Sequence, residues 1–161
     1  MAIRKTADLV DLYDDKLTFC DYGLIKFGQA EGFEGEITTL KTFEDNALLR
    51  ETLEQPGRGR VLVVDAGGST RVAIVGDQIA ALGMNNGWAG LVLNGSIRDS
   101  VDIDAMDFAV FAVGTSPKKS TKTRAGFRDV PVTFGNVTFT PGHYLYADAD
   151  GILVAEGPVE S

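Results

Sequence analysis

The run Val61-Leu62-Val63-Val64 constrains the fold more than any other segment. Four consecutive apolar residues, entered through Gly59-Arg60 and left at Asp65, show no polar alternation. That pattern suits a strand covered on both faces. Gly90 to Leu93 reads as another buried strand and Phe108 to Val113 as a third, with shorter strands expected at Ile37 to Leu40 and Val72 to Val75. The strands need helices to cover them, and the periodicity supplies candidates. Thr6 to Tyr13 is a plausible first helix. Thr42 is placed to cap a second, running to about Glu54, with Asp45 three residues on in a near capping-box arrangement. Phe43, Ala47, Leu49 and Leu53 share one broad face of it, and Pro56-Gly57 ends it. Gly76 to Asn86 reads as a third helix with Ile79, Leu82 and Gly83 inward, and Asp99 opens a short helical turn. From about Val130, short strands alternate with turns at Phe134-Gly135-Asn136 and Pro141-Gly142, which predicts antiparallel pairing. The expected architecture is α/β, with a mixed sheet and the helices concentrated in the first two thirds.

The chain has 161 residues, 44% of them hydrophobic, enough for the core of one domain spanning 1–161. Its formal net charge is -8. Nucleic-acid binders carry the opposite field, so direct contact with DNA or RNA is not expected, nor is attachment to an anionic membrane. No run approaches the ~20 apolar residues of a spanning helix, and the start lacks a signal-peptide pattern. A single cysteine, Cys20, cannot form an internal disulfide, which points to a cytoplasmic setting.

Chemistry concentrates between Gly76 and Asp102. A strand ends at Val75, a glycine follows, and a helix opens with Asp77-Gln78-Ile79. The unpaired amides of a helix start, with the helix dipole, favour a small anion, although a glycine before a helix is more often only a turn. One strand later comes Asn94-Gly95-Ser96-Ile97-Arg98-Asp99. Loops at the carboxyl ends of such strands are where α/β proteins place ligands. Arg98 offers a planar fork matched to a carboxylate, and Asp99 a hard oxygen ligand of the kind that holds Mg²⁺ or Mn²⁺ alongside waters. The plain alternative is an exposed arginine and a capping aspartate. Together the two segments could handle a 2-oxo acid, with the helix amides and Arg98 on its carboxylate and a cation on Asp99 drawing electrons from the bond that breaks.

Other residues carry less. His143, the only histidine, excludes a multi-histidine metal site within one chain and reads as structural. Cys20 reads as an apolar filler. The basic run Ser116 to Arg124 reads as a solvated loop, with anion attraction near the site or contact with a neighbouring subunit as the functional reading; a Schiff-base lysine there would have to be buried. Asp65-Ala66-Gly67-Gly68-Ser69 matches no nucleotide-binding pattern. Asp102, Asp148 and Asp150 could support a cation through waters but read more simply as turn or surface carboxylates.

Several stretches are recognisable. Phe43-Glu44-Asp45-Asn46-Ala47-Leu48-Leu49, Gly59 to Asp65 with Gly67-Gly68-Ser69, Asn94-Gly95-Ser96-Ile97-Arg98, Tyr144 to Asp148 and Asp150-Gly151-Ile152 resemble the family known as regulator of ribonuclease activity A. The resemblance spans nearly the whole chain. That family is similar to the class II 4-hydroxy-4-methyl-2-oxoglutarate aldolases, and the resemblance implies a swivelling β/β/α domain in ring-forming subunits, as a homotrimer or hexamer. The aldolases carry Gly-Asp at a helix start and Arg-Asp about one strand later, matched here by Gly76-Asp77 and Arg98-Asp99. The resemblance implies that the backbone of Gly76, Asp77, Gln78 and Ile79 and the side chain of Arg98 bind the pyruvate part. It implies that Asp99 carries a divalent cation, Mg²⁺ or Mn²⁺, and that Asp77 orients its waters. The implied reactions are cleavage of 4-hydroxy-4-methyl-2-oxoglutarate to two pyruvates and decarboxylation of oxaloacetate. The other branch implies a protein that binds and inhibits an endoribonuclease. A quinone methyltransferase reading lacks a glycine-rich cofactor loop to support it.

Overall fold

The computed structural model describes residues 4–159. Its main sheet has nine strands: β1 (Thr18–Phe19), β2 (Ile25–Phe27), β3 (Gly32–Lys41), β4 (Val61–Asp65), β6 (Gly90–Asn94), β8 (Val110–Ala112), β10 (Phe127–Arg128), β13 (Tyr144–Asp148) and β14 (Gly151–Ala155). Their order is β1-β14-β13-β3-β4-β6-β8-β2, with β10 added beside β3. The central strands β3, β4, β6 and β8 run parallel, and the flanking ones pair antiparallel. A second, wholly parallel sheet joins β5 (Ala73–Val75), β7 (Ser96–Ile97) and β9 (Gly114–Thr115), and β11 (Val132–Phe134) pairs with β12 (Val137–Phe139) as a hairpin. The helices are α1 (Thr6–Tyr13), α2 (Ala47–Leu53), α3 (Asp77–Asn85) and α4 (Ser100–Asp104).

The double cover expected of β4 is what the sheet has. Val61, Leu62, Val63 and Val64 are all fully buried. Leu62 and Val64 point to one side, against Leu49 and Leu53 of α2 and Ile79 and Ala80 of α3. Val61 and Val63 point to the other, where Phe134 and Phe139 of the β11–β12 hairpin close the second core. Each such side chain contributes about 1.5–3 kcal/mol by leaving water, so the two-sided strands hold the three layers together. Gly90 opens β6 where the Phe33 ring crosses its backbone; a Cβ there would collide with Phe33 Cδ2. Among the described residues, no helix is long and apolar enough to cross a membrane.

Three local expectations change. The strand at Ile37 to Leu40 extends back to Gly32; Gly32-Phe33-Glu34-Gly35-Glu36 has poor strand propensity but pairs along β13. Thr42 does not cap α2. Phe43 to Asn46 form a turn, with Glu44 at φ 52°, and the helix begins at Ala47. The Thr42 hydroxyl donates instead to the carbonyls of Asp45 and Ala125. Phe43 therefore lies outside the helix and is exposed, and Leu48, Leu49, Thr52 and Leu53 form the buried face. The antiparallel last third is as expected, with the hairpin turning at Gly135-Asn136.

Candidate functional site

The small parallel sheet builds the site. Val75 of β5 is in register with Ile97 of β7, and the Arg98 amide donates to the Val75 carbonyl at 2.9 Å. The residues just past the two strand ends therefore lie side by side: Gly76 at the start of α3, and Arg98-Asp99 before α4. Gly76 (φ -114°, ψ -169°) stands immediately before α3 and offers no side-chain cap. Asp99 Oδ2 takes that place from across the gap, accepting the Asp77 amide at 3.2 Å. The Gln78 amide donates to Asp77 Oδ1 at 2.9 Å. Two of the helix-start amides thus already hold carboxylates. Asp99 adopts a left-handed backbone (φ 53°, ψ 40°), uncommon for a non-glycine residue and of the kind that gathers at functional sites.

Gly76, Asp77, Gln78, Ile79, Arg98 and Asp99 all line one open cavity of about 360 Å³. Arg98 and Asp99 are exposed to it, and among the described residues the Arg98 guanidinium has no carboxylate within ion-pair distance. A Cβ on Gly76 would meet Asp99 Oδ2 at 2.7 Å and Arg98 Cγ at 3.5 Å, so the glycine lets these groups close over the helix start.

Sequence reasoning missed the contribution of α2: Asn46, Ala47, Arg50, Glu51 and Glu54 line the same cavity. Lys119 and Lys122 line it too, as the functional reading of the basic run had it, although the solvated loop was the first expectation. The signal for the first group was the polar stripe of the α2 region, where Asn46, Arg50 and Glu54 recur every four residues beside the stripe of Leu49 and Leu53. Glu51 is held below its usual carboxyl range, chiefly by its hydrogen bond from Arg124. The lysines belong to the basic run, and neither ammonium group is paired among the described residues. Both are exposed, so the desolvation a Schiff-base lysine needs is absent.

The remaining candidates lie elsewhere. Asp148 accepts the Thr6 amide (2.8 Å) and hydroxyl (2.6 Å), tying down α1. None of Asp102, Asp148 and Asp150 lines the cavity. His143 borders a larger hollow of about 800 Å³ beside β12 and β14; its backbone bonds to Ile37 and Thr140. Cys20 is half-buried, and burial, with the Asp21 charge second, pushes its thiol up to about 11.

Among the described residues, no three His, Cys, Asp or Glu side chains are grouped as a cage for a metal. Mg²⁺ does not require one: it commonly takes one or two carboxylates and keeps its waters. Asp99, with Asp77 beside it on an open cavity, fits that donor set.

A family model described as RraA-like, Aldolase/RraA, matches residues 6–154. The chain belongs to the RraA-like family. It is 53% identical over 152 residues to a protein of Aromatoleum aromaticum that bears the provisional name 4-hydroxy-4-methyl-2-oxoglutarate aldolase, covering 94% of this chain and 96% of that one. Among solved structures, this RraA-like chain superposes at TM-score 0.95 and 47% identity on a Geobacillus kaustophilus protein described as an S-adenosylmethionine:2-dimethylmenaquinone methyltransferase, covering 97% of each. It also matches the RNA-processing inhibitor RraA of Thermus thermophilus at TM-score 0.94 and 39% identity, covering 99% of this chain and 97% of the other. The mixed α/β fold is that of these neighbours.

Proposed function

We propose that this RraA-like chain is a divalent-cation-dependent lyase of 2-oxo acids, cleaving 4-hydroxy-4-methyl-2-oxoglutarate to two pyruvates and decarboxylating oxaloacetate. The observation that carries the reading is the meeting of Gly76-Asp77 with Arg98-Asp99 on one cavity. The name borne by the relative at 53% identity supports it.

Arg98, which lines the cavity and has no ion-pair partner among the described residues, binds the carboxylate next to the keto group, and its planar fork fixes the plane of the 2-oxo acid. Asp99, with Asp77 beside it, would hold Mg²⁺ or Mn²⁺. A cation bound there would supply Lewis-acid polarisation of the keto oxygen. With Arg98 holding the carboxylate, the bond between C3 and C4 of the substrate breaks and its electron pair moves toward the C2 carbonyl. In oxaloacetate the leaving group is CO₂; in the hydroxy-dicarboxylate it is the second pyruvate, whose keto group forms as the 4-hydroxyl gives its proton to solvent, and in both the enolate left behind takes a proton from solvent to become pyruvate. The fixed positive charge of Arg98 favours the enolate over the ground state. The reading places the enzyme in the cytoplasm as a ring of three subunits or a pair of such rings.

The test is pyruvate release from both substrates with Mg²⁺, Mn²⁺ or chelator. Asp99→Ala is expected to lose release by at least a hundredfold while its circular dichroism and melting stay near wild type. Unchanged turnover in that variant would remove the proposal.

A second reading rests on the likeness to the Thermus inhibitor: a regulator that binds an endoribonuclease, for which a net charge of -8 suits a basic segment of the partner. Titration with a purified endoribonuclease separates the two, because a lyase alone has no reason to bind it.

A further inference from the structure

The loop that carries the two cavity lysines is not loose. Asp45 is only 2% exposed, yet no cation pairs with it among the described residues. Its partners come from the loop and from the start of α2. Oδ2 accepts the hydroxyls of Thr121 (2.7 Å) and Thr123 (2.8 Å) and the Thr123 amide. Oδ1 accepts the amides of Arg124 (3.1 Å) and Ala47 (3.2 Å). Backbone bonds join the same pieces, from Thr121 to Glu44 and from Asn46 to Thr121. On the other side, the Ala73 amide donates to the Lys118 carbonyl at 2.7 Å. The loop is pinned at 118, 121, 123 and 124, and Lys119 and Lys122, between the pins, line the cavity. Surface loops with few contacts are normally the least stable parts of a domain. A buried carboxylate with five donors fixes the backbone on either side of both lysines.

We infer that Asp45 is a positioning residue: it holds Lys119 and Lys122 over the cavity so that their ammonium groups receive the substrate carboxylate remote from the one on Arg98. This rests on the lyase reading and deepens it, because it names the groups that receive the second carboxylate of those substrates. Asp45 touches no substrate and acts only through the loop.

The experiment compares the full-length wild type, Asp45→Asn, the double variant Lys119→Ala/Lys122→Ala, and the triple combination. One readout is Mg²⁺-dependent exchange of the pyruvate methyl protons with deuterated water, which involves no remote carboxylate. The other is KM and kcat for oxaloacetate decarboxylation. Asp45→Asn is expected to raise KM for oxaloacetate about tenfold, the value of one charge-assisted contact, with kcat and pyruvate exchange within twofold of wild type. The double variant should match it, and the triple should add nothing, since all act through the same contact. Unchanged KM in Asp45→Asn, additive effects in the triple, or equal loss of exchange and decarboxylation overturns the inference while leaving the lyase intact. If Asp45→Asn does not fold, Thr121→Val, which removes one hydroxyl donor, carries the same comparison. A wild type that neither exchanges pyruvate nor decarboxylates oxaloacetate sinks the lyase reading and takes this inference with it.

Discussion

Gly76→Ala separates the chemistry of the site from the stability of the fold. At φ -114° and ψ -169° the backbone accepts alanine without strain. Alanine is a poorer residue than glycine before a helix, at a cost of ~1 kcal/mol or less. The space is the difficulty. The new Cβ would lie 2.7 Å from Asp99 Oδ2, where 3.4 Å is ordinary contact. The oxygen must therefore withdraw by about 0.7 Å, whereas Arg98, whose Nε is 3.6 Å away, is already at ordinary contact distance. That movement disturbs the 3.2 Å bond from the Asp77 amide and shifts the group proposed to hold the cation. Displacements near 1 Å cost about a hundredfold in rate, so a loss of roughly ten- to a hundredfold in kcat/KM is expected, about 1.4–2.7 kcal/mol of transition-state stabilisation. A coupled lactate dehydrogenase assay on oxaloacetate, run across a Mg²⁺ titration, reads the loss, and thermal melting reads the fold. Wild-type kcat/KM and wild-type Mg²⁺ dependence in a folded Gly76→Ala protein would refute the argument from the close approach.

Three more outcomes follow from the same contacts. Burial would raise the Asp45 carboxyl, but the donors from Thr123, Thr121 and Ala47 outweigh it and hold the group near 2. A depressed folded value gives stability that is present above the unfolded value of about 3.9 and lost as pH falls toward 2, about 2 kcal/mol over that window. Urea midpoints at pH 6 and pH 2.5 should therefore fall more for wild type than for Asp45→Asn, and equal falls would disprove the assignment. Gly90→Ala forces a Cβ against the buried Phe33 ring and should cost about 1–3 kcal/mol through overpacking; an unchanged melting temperature would contradict the packing described. Cys20, its thiol raised to about 11, should resist iodoacetamide at pH 8 until the protein is unfolded in urea, and rapid labelling of the native chain would contradict its half-buried setting.

Much of this was legible along the chain because it depends on local pattern. An apolar run with no alternation reports two-sided burial wherever it occurs, so β4 and β6 could be read directly. Glycine followed by Asp-Gln-Ile marks a helix start, so α3 and its boundaries were clear to within a residue. Illegible were features that depend on what lies opposite in space. Gly32 to Glu36 looks too poor in strand formers to extend β3, and becomes a strand because β13 supplies its partners. Thr42 and Asp45 look like a capping pair, but the loop at Thr121 to Arg124, far along the chain, competes for the carboxylate and wins with more donors.

The sequence by itself determined the α/β architecture, the two-sided central strands and the two short segments that hold Gly76-Asp77 and Arg98-Asp99, because hydrophobic period and residue chemistry are local properties. Only the tertiary structure decided that those segments touch, through the register of β5 against β7. It alone decided that α2 and the basic loop close the far side of the same cavity. Neighbours in that cavity come from positions as far apart as Asn46 and Lys122, and their meeting depends on hydrogen-bond partners and packing that no local pattern encodes.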